Sequence, residues 1–180
     1  MFSIYEIFEI FMTIIALGYI FSDYVVRLPI RHLHKNLRDE ILLASIIVSP
    51  SIIFHEFAHK FVAVYFGGAA NFHANFYGLL LGIAMKALGL PIIFIPAYVS
   101  VRGLYTTPIV FGLIAISGPL VNFAIFLILS LLLKFNKITG DMYFYALVIK
   151  EMNKLLFLFN MLPIPSTDGF NFYQALLNSI

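Results

Sequence analysis

From Gly103 to Leu133 the chain carries no Asp, Glu, Lys or Arg. A helix crosses the hydrocarbon layer of a bilayer with roughly 20 apolar residues, so this run is long enough to span one. Composition agrees, because 62% of the 180 residues are hydrophobic and 11% are charged, against about one quarter charged in ordinary soluble domains. The chain therefore reads as an integral membrane protein. Its net charge of +2, scattered outside residues 27 to 38, leaves no electrostatic footprint for a nucleic-acid partner. It has no cysteine. Disulfides, thiolate metal sites and cysteine nucleophiles are thereby removed, and any metal would need nitrogen and oxygen ligands.

Further stretches organise the rest. Ile4 to Phe21 is a candidate first span, read as a retained anchor because no basic residue precedes it; Glu6 and Glu9 are expected near enough to its end to reach the interface. Ser22 to Glu40 is a polar connector with Arg27, Arg31, Lys35 and Arg38, His32 and His34, read as a solvated loop touching lipid headgroups. A second span covers Ile41 to Phe66 and stops at Gly67-Gly68. Leu79 to Ile95 is apolar but broken by Lys86, Gly89 and Pro91. The stretch 96–104 holds Val and Tyr suited to a short extended element. Thr107 to Leu133 is a third span. Met142 to Lys154 is amphipathic and suits the interface, and a last apolar unit runs from Leu155 to about Ser179. The expected architecture is an all-α integral membrane protein with about four transmembrane helices, a re-entrant or peripheral segment at 79–95, and that short β element. It forms one domain over 1–180, with a core at about 41–175 behind an N-terminal anchor helix and basic loop.

The chemistry concentrates in His55-Glu56-Phe57-Ala58-His59. Histidines at i and i+4 face the same way one helical turn apart, as two ligands of one ion must. Glu56 stands beside them, where it can take a proton from a water that a zinc ion activates. Chance yields such a pattern in well under about one in a hundred chains. Ionisable groups at bilayer depth cost roughly 2.5 kcal/mol or more, so three within five residues call for a functional explanation over ordinary hydrogen bonding in a bundle. A catalytic zinc needs a third protein ligand. The later candidates are His73, Asp141, Glu151 and Asp168. His73 falls in a loop beside Asn71 and Asn75, Asp141 in a polar turn, and Glu151 on a face shared with Lys150 and Lys154, each with a solvated reading. Asp168 follows an apolar stretch and the helix-breaking Pro163 and Pro165, and unwound backbone at that depth is tolerated beside protein or water.

Taken together, HExxH early, Ser117-Gly118-Pro119-Leu120-Val121-Asn122 midway and Asn160-Met161-Leu162-Pro163-Ile164-Pro165-Ser166-Thr167-Asp168-Gly169 late resemble the site-2 protease family of intramembrane zinc metalloproteases, over about residues 41 to 175. The resemblance implies one zinc ion on His55, His59 and Asp168, Glu56 as catalytic acid/base, and a membrane-anchored protein as substrate. It also implies that Asn122 lies near the site and contacts the substrate; an interhelical hydrogen bond is the alternative. Ser166 and Thr167 depart from the more apolar or proline residues common before Asp-Gly in that family. A multi-pass protein of the cell membrane, without a PDZ or other soluble module, is the expectation. The family's zinc lies nearer the cytosol, which would put the basic loop outside, opposite to the positive-inside rule. A membrane metal transporter or metal-stabilised membrane protein using the same residues is the competing reading, although it would favour more ligands spaced through the bilayer.

The ligands must meet at one depth. If 79–95 crossed fully, the last segment would run so as to carry Asp168 away from His59. Four crossings with 79–95 dipping or peripheral instead set the last unit parallel to the HExxH helix.

Overall fold

The computed structural model describes residues 2–26, 36–92, 94–103 and 107–179, so Arg27, Arg31, Lys35 and the histidines of the basic connector lie outside the described residues. In chain order the elements are α1 (Ile4–Val26), α2 (Leu37–Tyr65), β1 (Ala69–Ala74), α3 (Phe76–Ala87), β2 (Ala97–Arg102), α4 (Pro108–Lys134), α5 (Asp141–Asn160) and α6 (Asp168–Leu177). Among the described residues the fold is mostly helical, with one two-stranded sheet.

Helices α1, α2 and α4 are long and apolar enough to cross a membrane. In α4 only 22% of the most apolar window is buried within the protein, and Phe123, Leu127, Ile128 and Leu131 point outward. A helix so apolar on its outer face is matched to lipid rather than water. In α2 the share is 56%, which makes it the central helix. Its face bearing Ala44, Ile47 and Val48 packs on Tyr145, Val148, Ile149 and Met152 of α5, and Ala63 meets Ile114 of α4. These contacts order α4 antiparallel to α2 and α5 parallel to it, as the site requires.

One boundary differs from expectation. Instead of an interfacial helix ending at Lys154 and a new unit from Leu155, α5 runs unbroken to Asn160. No Gly or Pro interrupts it, and Glu151 neutralises its basic neighbours by pairing with Lys150 at 2.8 Å and Lys154 at 3.6 Å. With these charges α5 is not among the three helices that qualify as spans by length and composition.

The stretch 79–95, expected to dip or lie peripherally, leaves one ribbon and returns to it. Its ends are joined: β1 pairs antiparallel with β2, Ala74 opposite Ala97 and Ala69 opposite Arg102, and Asn75 N–H donates to Pro96 O at 2.9 Å. Between these ends α3 descends beside α1 until Lys86 reaches Tyr19 O and Asp23 Oδ1 (3.0 Å), and the chain then returns. A Cβ at Gly78 would collide with Ile95 O, so the outgoing and returning strokes touch there. A segment that begins and ends on one ribbon does not cross.

Strand β1 occupies residues read above as loop. Ala70, Phe72 and Ala74 are buried and alternate with more exposed neighbours, a period of two. His73 is therefore a strand residue, half-buried, with Nδ1 at 3.3 Å from Glu9 Oε2 and Nε2 at 3.0 Å from Ser100 Oγ. Glu6 and Glu9 do not reach outward either. Glu6, 3% exposed, pairs with buried Lys60 and accepts from Phe72 N–H at 2.8 Å. Glu9 accepts from Ala74 N–H at 3.0 Å. The amides of Phe72 and Ala74, two residues apart on one strand, are satisfied by carboxylates of α1.

Candidate metal centre

Three side chains from two distant parts of the chain converge beside the central helix. His55 Nε2 and His59 Nε2 lie 3.1 Å apart on α2, and Asp168 Oδ2 is 3.0 Å from the first and 3.3 Å from the second. Ligands about 2.0–2.1 Å from a tetrahedral zinc lie roughly 3.3 Å from one another. The triangle is close to that size, and Asp168 Oδ2 is buried with no hydrogen-bond partner. A buried carboxylate oxygen left unpaired beside two imidazole nitrogens is a donor set that fits a divalent cation. These residues form a group that can hold a metal ion.

The imidazoles are oriented from behind. His55 Nδ1–H donates to Asn122 Oδ1 at 2.6 Å, and His59 Nδ1–H donates to Ile114 O at 2.8 Å. Both acceptors are carbonyl oxygens, which cannot donate, so the proton sits on Nδ1 and the Nε2 lone pairs face Asp168. Ile114 O also accepts from Ser117 Oγ–H at 2.7 Å. These acceptors all come from the turns of α4 around Gly118 and Pro119. A Cβ at Gly118 would strike His59 Nε2 and lie 2.7 Å from His55 Nε2. Only a glycine lets α4 lie this close to the nitrogens, a closer role than general helix packing.

Asp168 arrives by a turn rather than along a continuous helix. Met161 closes α5 and Thr167 caps α6, its Oγ1 donating to Leu162 O at 2.6 Å and accepting from Phe170 N–H at 3.3 Å. Ser166 has φ +80°, a left-handed backbone that costs a side-chain-bearing residue energy. Ser166 and Thr167, the departures from the family pattern, are thus the residues that shape the turn and seat Asp168 in the first turn of α6.

Glu56 lines the same cavity of about 520 Å³ as His55, His59 and Asp168. Strand β2, the upstream half of α4, the end of α5 and the Ile164–Asp168 turn complete its wall. Asn160 lies on this wall, its Nδ2 donating to Leu156 O at 3.1 Å. Asn122 is placed differently. It is 0% exposed and absent from the cavity lining, with its oxygen on His55 and its amide hydrogens on Ser51 O and Asn153 Oδ1. Asn122 makes the interhelical hydrogen bond named as the alternative, behind the histidine. His73, Asp141 and Glu151 are outside the cluster. Sequence reasoning missed Ser51, Asn153 and the Ile114 carbonyl; the first two were visible as polar residues inside apolar helices.

No protein-family model matches the chain, and neither does a solved structure. It is 32% identical over 169 residues to the protein of Methanocaldococcus jannaschii named "Putative zinc metalloprotease", an alignment covering 93% of this chain and 83% of that one. Identity at that level along nearly the whole length, in a chain whose histidines and aspartate converge as zinc ligands would, shows that it belongs to the zinc metalloprotease family of this archaeal relative.

Proposed function

We propose that the chain is an intramembrane metalloprotease of the site-2 protease kind, hydrolysing a peptide bond within or near a membrane-spanning segment of a membrane-anchored protein. The observation that carries this reading is the meeting of His55, His59 and Asp168 on a cavity lined in part by the apolar helices α2 and α4. In this reading His55, His59 and Asp168 hold one zinc ion. Such an ion supplies Lewis acidity, which makes water acidic and polarises a carbonyl. Glu56 accepts the proton of the attacking water and returns it to the leaving nitrogen, so one carboxyl serves as base and then acid. Asn122 and Ile114 keep the two imidazoles in the tautomer that ligates. The substrate segment must offer an extended backbone, because a carbonyl bonded inside a helix is not free to be attacked. Helices α1, α2 and α4, each long and apolar enough to cross a membrane, support reading the chain as a multi-pass protein of the cell membrane, with the bilayer as its second partner.

The test is cleavage of a set of membrane-segment substrates by the purified protein, with wild type beside Glu56→Gln and bound metal measured in both. Retained zinc with activity lowered by about 10²-fold or more is expected, the usual contribution of a general acid/base. Full activity in the variant, or a wild type that binds no zinc, ends the proposal.

A further inference from the structure

Behind His55, on the side away from the cavity, a chain of amides joins α2, α4 and α5. Asn153 of α5 donates from Nδ2 to Ile149 O at 2.7 Å and to Ser51 Oγ at 2.8 Å. Asn122 donates from Nδ2 to Ser51 O at 2.9 Å and to Asn153 Oδ1 at 2.8 Å. Both asparagines are 0% exposed, so water does not compete for these bonds.

We infer that Asn153, which touches neither the ligand triangle nor the cavity, positions His55 for metal binding by fixing which end of the Asn122 amide faces the imidazole. Ile149 O and Ser51 O are backbone carbonyls and only accept. The first takes an N–H from Asn153, which turns Asn153 Oδ1 towards Asn122. Asn122 must therefore present its NH₂ to Asn153 Oδ1 and to Ser51 O together, and its own Oδ1 is left for His55 Nδ1–H. Turning Asn122 over would set oxygen against oxygen at two contacts. It would also offer an N–H to Nδ1 and so favour the tautomer with its proton on Nε2, which cannot ligate. Every amide hydrogen in the relay has an acceptor, and the polarity runs one way from α5 to the metal face. With Asn153 removed, one of the two restraints on Asn122 is gone. Asn153 is a positioning residue, and nothing in the HExxH, SGPLVN or NMLPIPSTDG segments includes it.

The inference rests on the metal-site reading, so its test separates the two. Zinc affinity is measured by chelator competition on purified wild type, His55→Ala, Asn153→Leu and Asn153→Ala, and the protonated ring nitrogen of His55 is read by ¹⁵N NMR of the zinc-stripped protein. Wild type is expected to carry the proton on Nδ1. Asn153→Leu and Asn153→Ala are expected to mix the two tautomers and bind zinc about 10- to 100-fold more weakly, the usual effect of removing an outer hydrogen-bond partner. Zinc binding that survives His55→Ala unchanged defeats the metal-site reading itself. Zinc binding that needs His55 but is unaltered, with an unaltered tautomer, in a folded Asn153 variant overturns this inference alone. If neither variant folds, the wild-type spectrum still decides, because an Nδ1 that carries no proton in the stripped protein contradicts the relay.

Discussion

Lys60 follows His59 directly and is 2% exposed. It pairs with Glu6 and sits 4.3 Å from the centre of the Phe2 ring. Removing one partner leaves a buried charge alone, which costs far more than removing both. Lys60→Met is therefore expected to destabilise the protein by roughly 3–5 kcal/mol, and Glu6→Gln with Lys60→Met to recover a good part of that loss. Thermal unfolding in detergent measures both; equal losses in the single and double variants would contradict the pairing. At this scale His55, Glu56, His59 and Asp168 were legible because each carries its chemistry in its type and spacing. Asn153 and Lys60 were not, since their meaning depends on partners 31 and 54 residues away. A lone polar residue in an apolar helix announces that a partner exists without naming it.

Among the elements, the connector from α5 to α6 is the one on which the site depends most. Thr167 closes the turn on Leu162 O and Ile164 O and caps α6, so Thr167→Ala is expected to cost about 1 kcal/mol and to weaken metal binding, whereas Thr167→Ser keeps the hydroxyl and both properties. Unfolding and chelator competition on the same samples check this; a Thr167→Ala protein with wild-type zinc affinity would show that Asp168 is held by other contacts. Pro163 and Pro165 marked the break in the sequence, and the span of α4 followed from its composition alone. The C-terminal end of α5 did not, because its mid-helix charges resemble a surface patch until their pairing is seen. Strand β1 was hidden for a related reason: Asn71, His73 and Asn75 look like loop residues, and only pairing with β2 and the carboxylates of α1 makes the stretch a strand.

For the whole molecule, the excursion from Asn75 to Pro96 decides how the pieces stack. Because Ala74 lies opposite Ala97, the exposed residues Tyr77 and Tyr98 belong to the same end of the molecule. The chain has no cysteine, so Tyr77→Cys and Tyr98→Cys can each be labelled singly with an impermeant thiol reagent. Labelling of both from the same side of a vesicle is expected, and opposite sides would exclude a returning excursion. The need for ligands to meet at one depth made this return legible from sequence, and so did the extended stretch that forms β2; strand β1, which closes the ribbon, was not.

The carboxylates of α1 also bear on how such a chain is made. Synthesis delivers α1 before α2 and the ribbon, with Glu6 and Glu9 near its beginning and the groups that receive them not yet made. Lys60 follows 54 residues after Glu6, and the Phe72 and Ala74 amides follow 66 and 65 residues after their carboxylates. Until then two charged groups hold that end of the helix in water. Helix α1 thus gains its permanent seat only after α2 and the ribbon have been laid down.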